Sequence, residues 1–299
     1  IIEPKGFNKT KLSLFKSILW IRKEVKRVNP EHILVFNKFY GAITALALLG
    51  TKYPYFLSER SSPLFVWRQP MRAINKFAFS IKPPKGVIAQ TNIAAEYQRK
   101  YFKKTEVIVI PNSVREVQLF PEIKREKVIL AVGRLNDYLK GFDLLIESFA
   151  KLKNQDWELH IAGGDEEGEA LKEQAERLEV INRIKFLGKV KEIDKCYAYA
   201  GMFVIPSRSE GFPNALAEAM TAGCCCIAFD FTAGPRDIIV DGISGLIVEN
   251  GNTTEMAKAI DYLKAHPEKR IQLSKEAIKI REKLNKNIIA NKIKYFLNL

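Results

Sequence analysis

The stretch from Met202 to Gly223 limits the folds open to this chain more than any other. An apolar run, Met202-Phe203-Val204-Ile205, leads into Pro206-Ser207-Arg208-Ser209-Glu210-Gly211-Phe212-Pro213-Asn214, and then into Ala215-Leu216-Ala217-Glu218-Ala219-Met220-Thr221-Ala222-Gly223. The run reads as a buried strand. Pro213 is expected at the first helical position, where its missing N–H costs nothing. Residues 215–220 are good helix formers and Gly223 is a good stop. The result is a strand, a turn and a helix, with Glu210 in the turn and Glu218 more than a full turn inside the helix.

The first turn of a helix leaves backbone N–H groups unpaired and carries partial positive charge. Gly211 permits close approach to the backbone. The N–H groups near Phe212, Asn214 and Ala215 are therefore expected to hold an anion such as a phosphate. Two carboxylates that flank an anion site do not bind the anion. They suit hydroxyl groups on either side of it, as in a nucleotide sugar, where a diphosphate separates a sugar from a ribose. An amphipathic helix with an incidental Glu at each end is the bland alternative.

The string Ser-Glu-Gly-Phe-Pro-Asn-Ala-Leu-Ala-Glu-Ala-Met, with Glu210 and Glu218 separated by seven residues, resembles the retaining glycosyltransferases of family four, which have the GT-B fold. The resemblance implies an α/β chain of two doubly wound Rossmann-like domains with a cleft between them. It implies that Glu210 contacts the donor sugar, that Glu218 holds the ribose diol, and that the amides between them hold the phosphates. Donor contacts are then expected from Gly211, Phe212, Pro213, Asn214 and Ala215. Gly133-Arg134-Leu135 and Lys140-Gly141-Phe142-Asp143 resemble the family's basic pair. Arg134 and Lys140 would grip the diphosphate, one as a fork of donors and the other as a mobile charge, with Gly133 beside them. Glu210, Arg134 and Lys140 are the expected catalytic residues.

Departures from the family pattern matter as much. Ser58-Glu59-Arg60 stands where many relatives carry Ser-Glu-His. Arg60 cannot shuttle protons near neutral pH, and a phosphate or acceptor contact is its expected role. Thr232 to Asp237 resembles a family loop that commonly ends in Glu; helix capping is the expectation for Asp237. Gly163-Gly164-Asp165 resembles a Gly-rich turn of the family, and Ile184 to Gly188 the strand beside the nucleobase. Lys185 and Phe186 read equally well as ordinary strand residues. His32, His160 and His266 read as structural.

Elsewhere, short apolar runs alternate with helical patterns, as in parallel sheets wrapped by helices. The expected domains are residues 1–112, a linker at 113–126 and residues 127–299, with the stretch from Pro111 to Glu126 read as the hinge. Strands are expected at His32–Phe36, Tyr53–Leu57, Gly86–Gln90 and Val107–Ile110 in the first domain. The second is expected to begin with Lys127–Gly133 and to close with helices near 254–264, 267–283 and 287–298. The first domain lacks the family's opening strand, Gly-rich loop and helix, so roughly 50 residues are expected to be missing against a typical domain of ~150. The sequence does not begin with Met, and Ile1 is not taken as a native start.

Charge is divided as sharply as the pattern. Residues 1–124 hold 22 Lys+Arg and 8 Asp+Glu, whereas residues 125–299 hold 26 of each, and no Asp precedes Asp137. The predicted helix Lys9–Asn29 carries Lys11, Lys16, Arg22, Lys23, Lys26 and Arg27 opposite an apolar face. It reads either as a helix resting on anionic lipid or as a solvated surface helix. Stacking platforms for nucleic acid are not evident, and no nucleic-acid partner is expected. No apolar run approaches the ~20 residues needed to span a bilayer.

The four cysteines, Cys196 and the consecutive Cys224, Cys225 and Cys226, suit neither a disulfide framework nor a zinc site. Cys224 to Asp230 reads instead as a buried strand, with Cys acting as a small hydrophobe, and reduced thiols are in keeping with a cytoplasmic location, with peripheral attachment to the inner membrane face as a further expectation. The sequence has no Asp-x-Asp triplet, so no catalytic metal and no cofactor are expected. The donor itself would be a nucleotide-diphosphate sugar, UDP-linked by expectation, and the acceptor a saccharide or lipid-linked saccharide. Two rival readings remain at this stage: a sugar-nucleotide epimerase of related fold, and a nucleotide-sugar-binding subunit without activity.

Overall fold

The computed structural model describes residues 11–153, 155–164 and 168–299. Ile1, Lys9 and Asp165, named above, lie outside the described residues. The chain forms two compact units. One comprises the residues up to Pro111 together with Asn291–Leu299; the other is Asn112–Ala290.

The first unit runs α1 (Lys11–Val28), β1 (Leu34–Phe36), α2 (Lys38–Ala47), β2 (Phe56–Ser58), α3 (Met71–Ile81), β3 (Gly86–Ala89), α4 (Asn92–Tyr101) and β4 (Glu106–Val109). The four strands are parallel and lie side by side in chain order. Apolar residues on both faces explain the burial of every residue of β2 and β3, as expected of a covered parallel sheet. Thr91 caps α4, its side chain accepting from the Ala94 N–H at 3.1 Å. Helix α3 was not among the expected elements. It buries Asn75, Ala78 and Phe79 and leaves Phe77 and Ile81 exposed.

The second unit runs β5 (Glu126–Val132), α5 (Phe142–Ala150), β6 (Glu158–Ala162), α6 (Glu169–Arg177), β7 (Ile184–Gly188), α7 (Ile193–Tyr199), β8 (Ala200–Ile205), α8 (Asn214–Thr221), β9 (Cys226–Phe229), α9 (Pro235–Ile238), β10 (Leu246–Val248), α10 (Thr253–Ala265), α11 (Pro267–Ala277) and α12 (Ile280–Lys283). Helix α13 (Lys286–Leu297) follows. The six parallel strands are ordered β10-β9-β8-β5-β6-β7. The chain thus winds outward from β5 to β7, returns to β8 beside β5, and winds the other way, as in a doubly wound nucleotide-binding sheet.

Several boundaries differ from the sequence reading. Residues 113–126 are not a free linker. Val117 is 2% exposed within the second core, and the Val114 N–H donates to the Leu284 carbonyl at 3.0 Å. Residues 291–299 fall with the first unit, where Phe296 meets Phe56 edge-on at 5.5 Å and fills the space over Gly86. Pro213 is the cap of α8 rather than its first residue, because its ψ of 78° is not helical. Asp237 does not cap α9; Gly234 occupies that position and Asp237 lies inside the helix.

Candidate active site

In a doubly wound sheet the two halves of the chain diverge where the strand order reverses, and ligands bind outside the strand ends there. Here the reversal lies between β5 and β8. The segments after those two strands, with the end of β6 and the start of α7, wall a crevice of about 440 Å³. Gly133, Arg134, Lys140, Glu210, Phe212, Asn214, Ala215 and Glu218 all line it.

Close backbone packing builds the floor. A Cβ on Gly163 would lie 2.4 Å from the Gly133 carbonyl oxygen, and its φ of +118° favours glycine. The ends of β5 and β6 can therefore meet, with the Gly133 N–H bonded to the Ala162 carbonyl at 2.9 Å. Gly141 has φ +68°, and a Cβ there would fall 2.0 Å from the Pro206 carbonyl oxygen. The turn carrying Lys140 is thereby pressed onto the turn carrying Glu210. Lys140 Nζ and Glu210 Oε1 are 2.7 Å apart, and the Ser207 hydroxyl donates to the same oxygen at 2.9 Å. Both side chains are less than a quarter exposed, which favours a fixed pair over a loose surface contact.

Glu218 is held from behind. Its Oε2 accepts from the Tyr197 hydroxyl at 3.3 Å and pairs with Arg115 Nε at 3.2 Å. Arg115 also forks onto Asp194, whose Oδ2 accepts the Gln118 N–H at 2.9 Å. Burial raises the Asp194 carboxyl's pKa, but the Arg115 and Gln118 hydrogen bonds outweigh it and leave it below the usual carboxylate range. The hydrogen bonds to Asp194 and the charges of Asp194 and Glu218 push the Arg115 guanidinium up. Arg115, Tyr197 and Asp194 were not singled out from the sequence. Arg115 sat in a supposed hinge, and nothing in its neighbours signals a contact 103 positions away.

The remaining site residues are distributed as follows. Arg134 borders the crevice but is 74% exposed and pairs with Asp137 at 2.7 Å. Gly211 and Pro213 lie in the turn without lining the crevice; the Pro213 ring rests against Gly234. The Asn214 N–H is spent on the Phe212 carbonyl at 2.9 Å, so it is not an open donor as expected. Helical pairing in α8 begins with the Ala217 N–H on Pro213, which leaves Ala215 and Leu216 ahead of the ladder. The Asn214 side chain accepts from Asn112 at 2.9 Å. Lys189, Val190 and Ile193 also line the crevice and were missed.

Arg60 belongs to the first unit. Its Nε donates to Ser58 Oγ at 3.0 Å, its guanidinium stacks 5.1 Å from the Phe36 ring, and burial lowers its pKa. Glu59 is nearly buried and accepts from the Lys38 N–H at the start of α2. Lys185 pairs with Glu158 at 2.7 Å, as an ordinary strand residue would. His160 is held between Tyr199 and Glu158, and His266 bonds the Tyr262 carbonyl. On α1, Arg22 caps the end of α2 through the Ala47 and Leu49 carbonyls, and Arg27 pairs with Glu24. Two of the six basic residues read on that helix, as facing either lipid or solvent, are thus engaged within the protein. Among the described residues no helix is long and apolar enough to cross a membrane.

The sequence of residues 115–280 matches the family described as glycosyl transferases group 1. The chain is 28% identical over 277 residues to a glycosyltransferase of Haemophilus influenzae, covering 90% of this chain and 78% of that protein. It is 23% identical over 255 residues to a Campylobacter jejuni alpha-1,4-N-acetyl-D-galactosaminyltransferase named for a PP-undecaprenol glycan, covering 84% of this chain and 70% of that one. The crystal structure of TarM superposes with a TM-score of 0.80 at 20% identity, over 94% of this chain and 58% of TarM. That likeness is one of fold, the GT-B architecture of two Rossmann-like α/β units. With the family match taking in more than half of its length, the chain belongs to the group 1 glycosyltransferases.

Proposed function

We propose that this glycosyltransferase moves a sugar from a nucleotide-diphosphate donor, a UDP-sugar, to a saccharide or lipid-linked saccharide, with retention at the anomeric carbon and without a catalytic metal. The observation that carries the reading is the crevice at the β5/β8 reversal, which gathers the carboxylates Glu210 and Glu218 and the cations Arg134, Lys140 and Lys189 around the first turn of α8. Glu218 accepts from the ribose hydroxyls and Glu210 from the donor sugar. Lys140, Arg134 and the first amides of α8 neutralise the diphosphate as it leaves. The bond from C1 to the phosphate oxygen breaks while the acceptor oxygen bonds C1 on the same face. The acceptor proton passes to the departing phosphate, so no separate base is required. Two comparisons support the substrate classes: TarM of S. aureus has been crystallised with UDP, and the Campylobacter relative is named for an undecaprenol-linked glycan.

A thermal-shift screen with UDP- and GDP-sugars tests the donor. A UDP-sugar is expected to raise the melting temperature, and Glu218→Ala to abolish the shift. No shift with any nucleotide sugar would refute the reading. Proton NMR of the product reads the anomeric configuration, and turnover unchanged in EDTA is the expected sign of metal independence.

The surplus of cations before residue 125 motivates a second proposal, docking on an anionic membrane surface. Flotation with phosphatidylglycerol vesicles is expected to carry the protein at low salt and release it at high salt. Equal recovery with neutral vesicles would sink it.

A further inference from the structure

We propose that Arg208, through Asp143, is the positioning residue that sets Lys140 against Glu210. The inference rests on the reading that this pair handles the sugar and diphosphate of the donor. Arg208 follows β8 by three residues and precedes Glu210 by two. Its guanidinium forks onto the Asp143 carboxylate, Nη1 to Oδ1 at 2.7 Å and Nη2 to Oδ2 at 2.5 Å. Nη1 also donates to the Tyr138 carbonyl at 2.8 Å, and the guanidinium carbon lies 3.9 Å from the Tyr138 ring centroid. The Arg208 backbone N–H donates to the Leu139 carbonyl at 2.8 Å. One residue thus grips positions 138, 139 and 143, on both sides of Lys140.

Two features make this grip matter for geometry. Lys140 reaches Glu210 on a flexible stem, and an ammonium is a point charge that does not fix its own direction. Its placement must come from the backbone, and the backbone turn is seated on Pro206 with no room for a Cβ at Gly141. Asp143 stands in the first turn of α5, so the fork also ties the turn to a rigid helix. The two turns form a closed loop, with the Lys140–Glu210 pair at one end and the Arg208–Asp143 fork at the other. The other half of the crevice is anchored independently, with Glu218 held by Arg115 and Tyr197. Loosening the fork therefore displaces the Lys140 half alone.

The test uses the full chain with Arg208→Lys and Asp143→Asn. Lysine keeps the charge but loses the planar fork. For each variant kcat is expected to fall by about tenfold to a hundredfold, since small misplacements near reacting atoms are costly. UDP affinity by calorimetry should fall by clearly less than kcat does, because the Glu218 half is intact. Hydrogen–deuterium exchange of residues 138–142 should accelerate, with residues 214–221 unchanged. The swap Arg208→Asp with Asp143→Arg should recover at least about fivefold of the kcat lost by the singles. Loss of UDP affinity equal to the loss in turnover, or unchanged exchange at 138–142, overturns the proposal. Exchange is read on the protein alone, so it decides the positioning claim even if no nucleotide sugar proves to be a substrate.

Discussion

Arg115 shows how much of the site a single side chain can carry and how little of that is visible in sequence. It bonds Glu218 and Asp194 together, and so ties α7 to α8 behind the crevice. Removing it leaves two carboxylates facing each other without their shared cation, which changes what Glu218 can accept. Arg115→Ala is expected to weaken UDP binding by about tenfold, the value of one charged hydrogen bond, as read by calorimetry. Unchanged affinity would mean that Tyr197 alone orients Glu218. The cysteine triplet makes the opposite case, since its place at the head of an apolar run was enough to read it as buried. Cys196, Cys224, Cys225 and Cys226 are all buried and free. Burial pushes all four thiols up, Cys225 to about 12. Native protein should therefore resist a thiol reagent at pH 8 and release its full complement on unfolding in guanidinium. Rapid labelling of any one of them in the folded state would contradict that burial.

At the level of elements, the strand–turn–helix of β8 and α8 was legible because each part had its own signal. The apolar run, the glycine stop and the helix formers all agreed. The interlock of separate turns was not legible, because it depends on which backbone atoms meet. Gly141 is the clearest instance. In sequence it is a glycine after Lys140, and only the structure shows its α-carbon against the Pro206 carbonyl. Gly141→Ala combines a positive φ with a clash against backbone, so it should cost about 2–4 kcal/mol of stability in denaturant unfolding. Gly251→Ala, with a similar φ of +78° but open space around it, is the control and should cost about 1 kcal/mol. Equal losses at both positions would show that backbone strain, not the clash, sets the penalty.

The molecule as a whole divides its charge as its sequence does, and that division has a consequence in acid. Two separate cores stand behind the two units, and the fold class of both followed from alternating strands and helices. The boundaries did not follow, because Val117 and Phe296 reveal their packing only by where their rings and methyl groups come to rest. Among the described residues five carboxylates have folded pKa values below their ordinary range: Asp143, Glu147, Asp156, Glu158 and Asp194. Hydrogen bonds from Lys151, Lys127 and Lys185 are the leading causes at Glu147, Asp156 and Glu158 respectively. At Asp143 and Asp194 burial opposes the shift, and an arginine's hydrogen bonds and charge help to overcome it. All five lie in the second unit. A folded pKa below the unfolded one means that the unfolded state takes up protons first as the pH drops. The stabilisation is therefore fully present above the unfolded carboxylate range near pH 4 and is lost as the pH falls through the lower folded values. Urea unfolding followed from pH 6 to pH 2.5 should show the second unit losing stability below about pH 4. Asp194→Asn should be less stable than the parent at pH 6, and the gap should narrow as the pH falls towards 2.5, because protonation progressively takes the same interaction from the parent. Two curves that stay parallel across this range would show that the Arg115–Asp194 pair contributes nothing that depends on its charge.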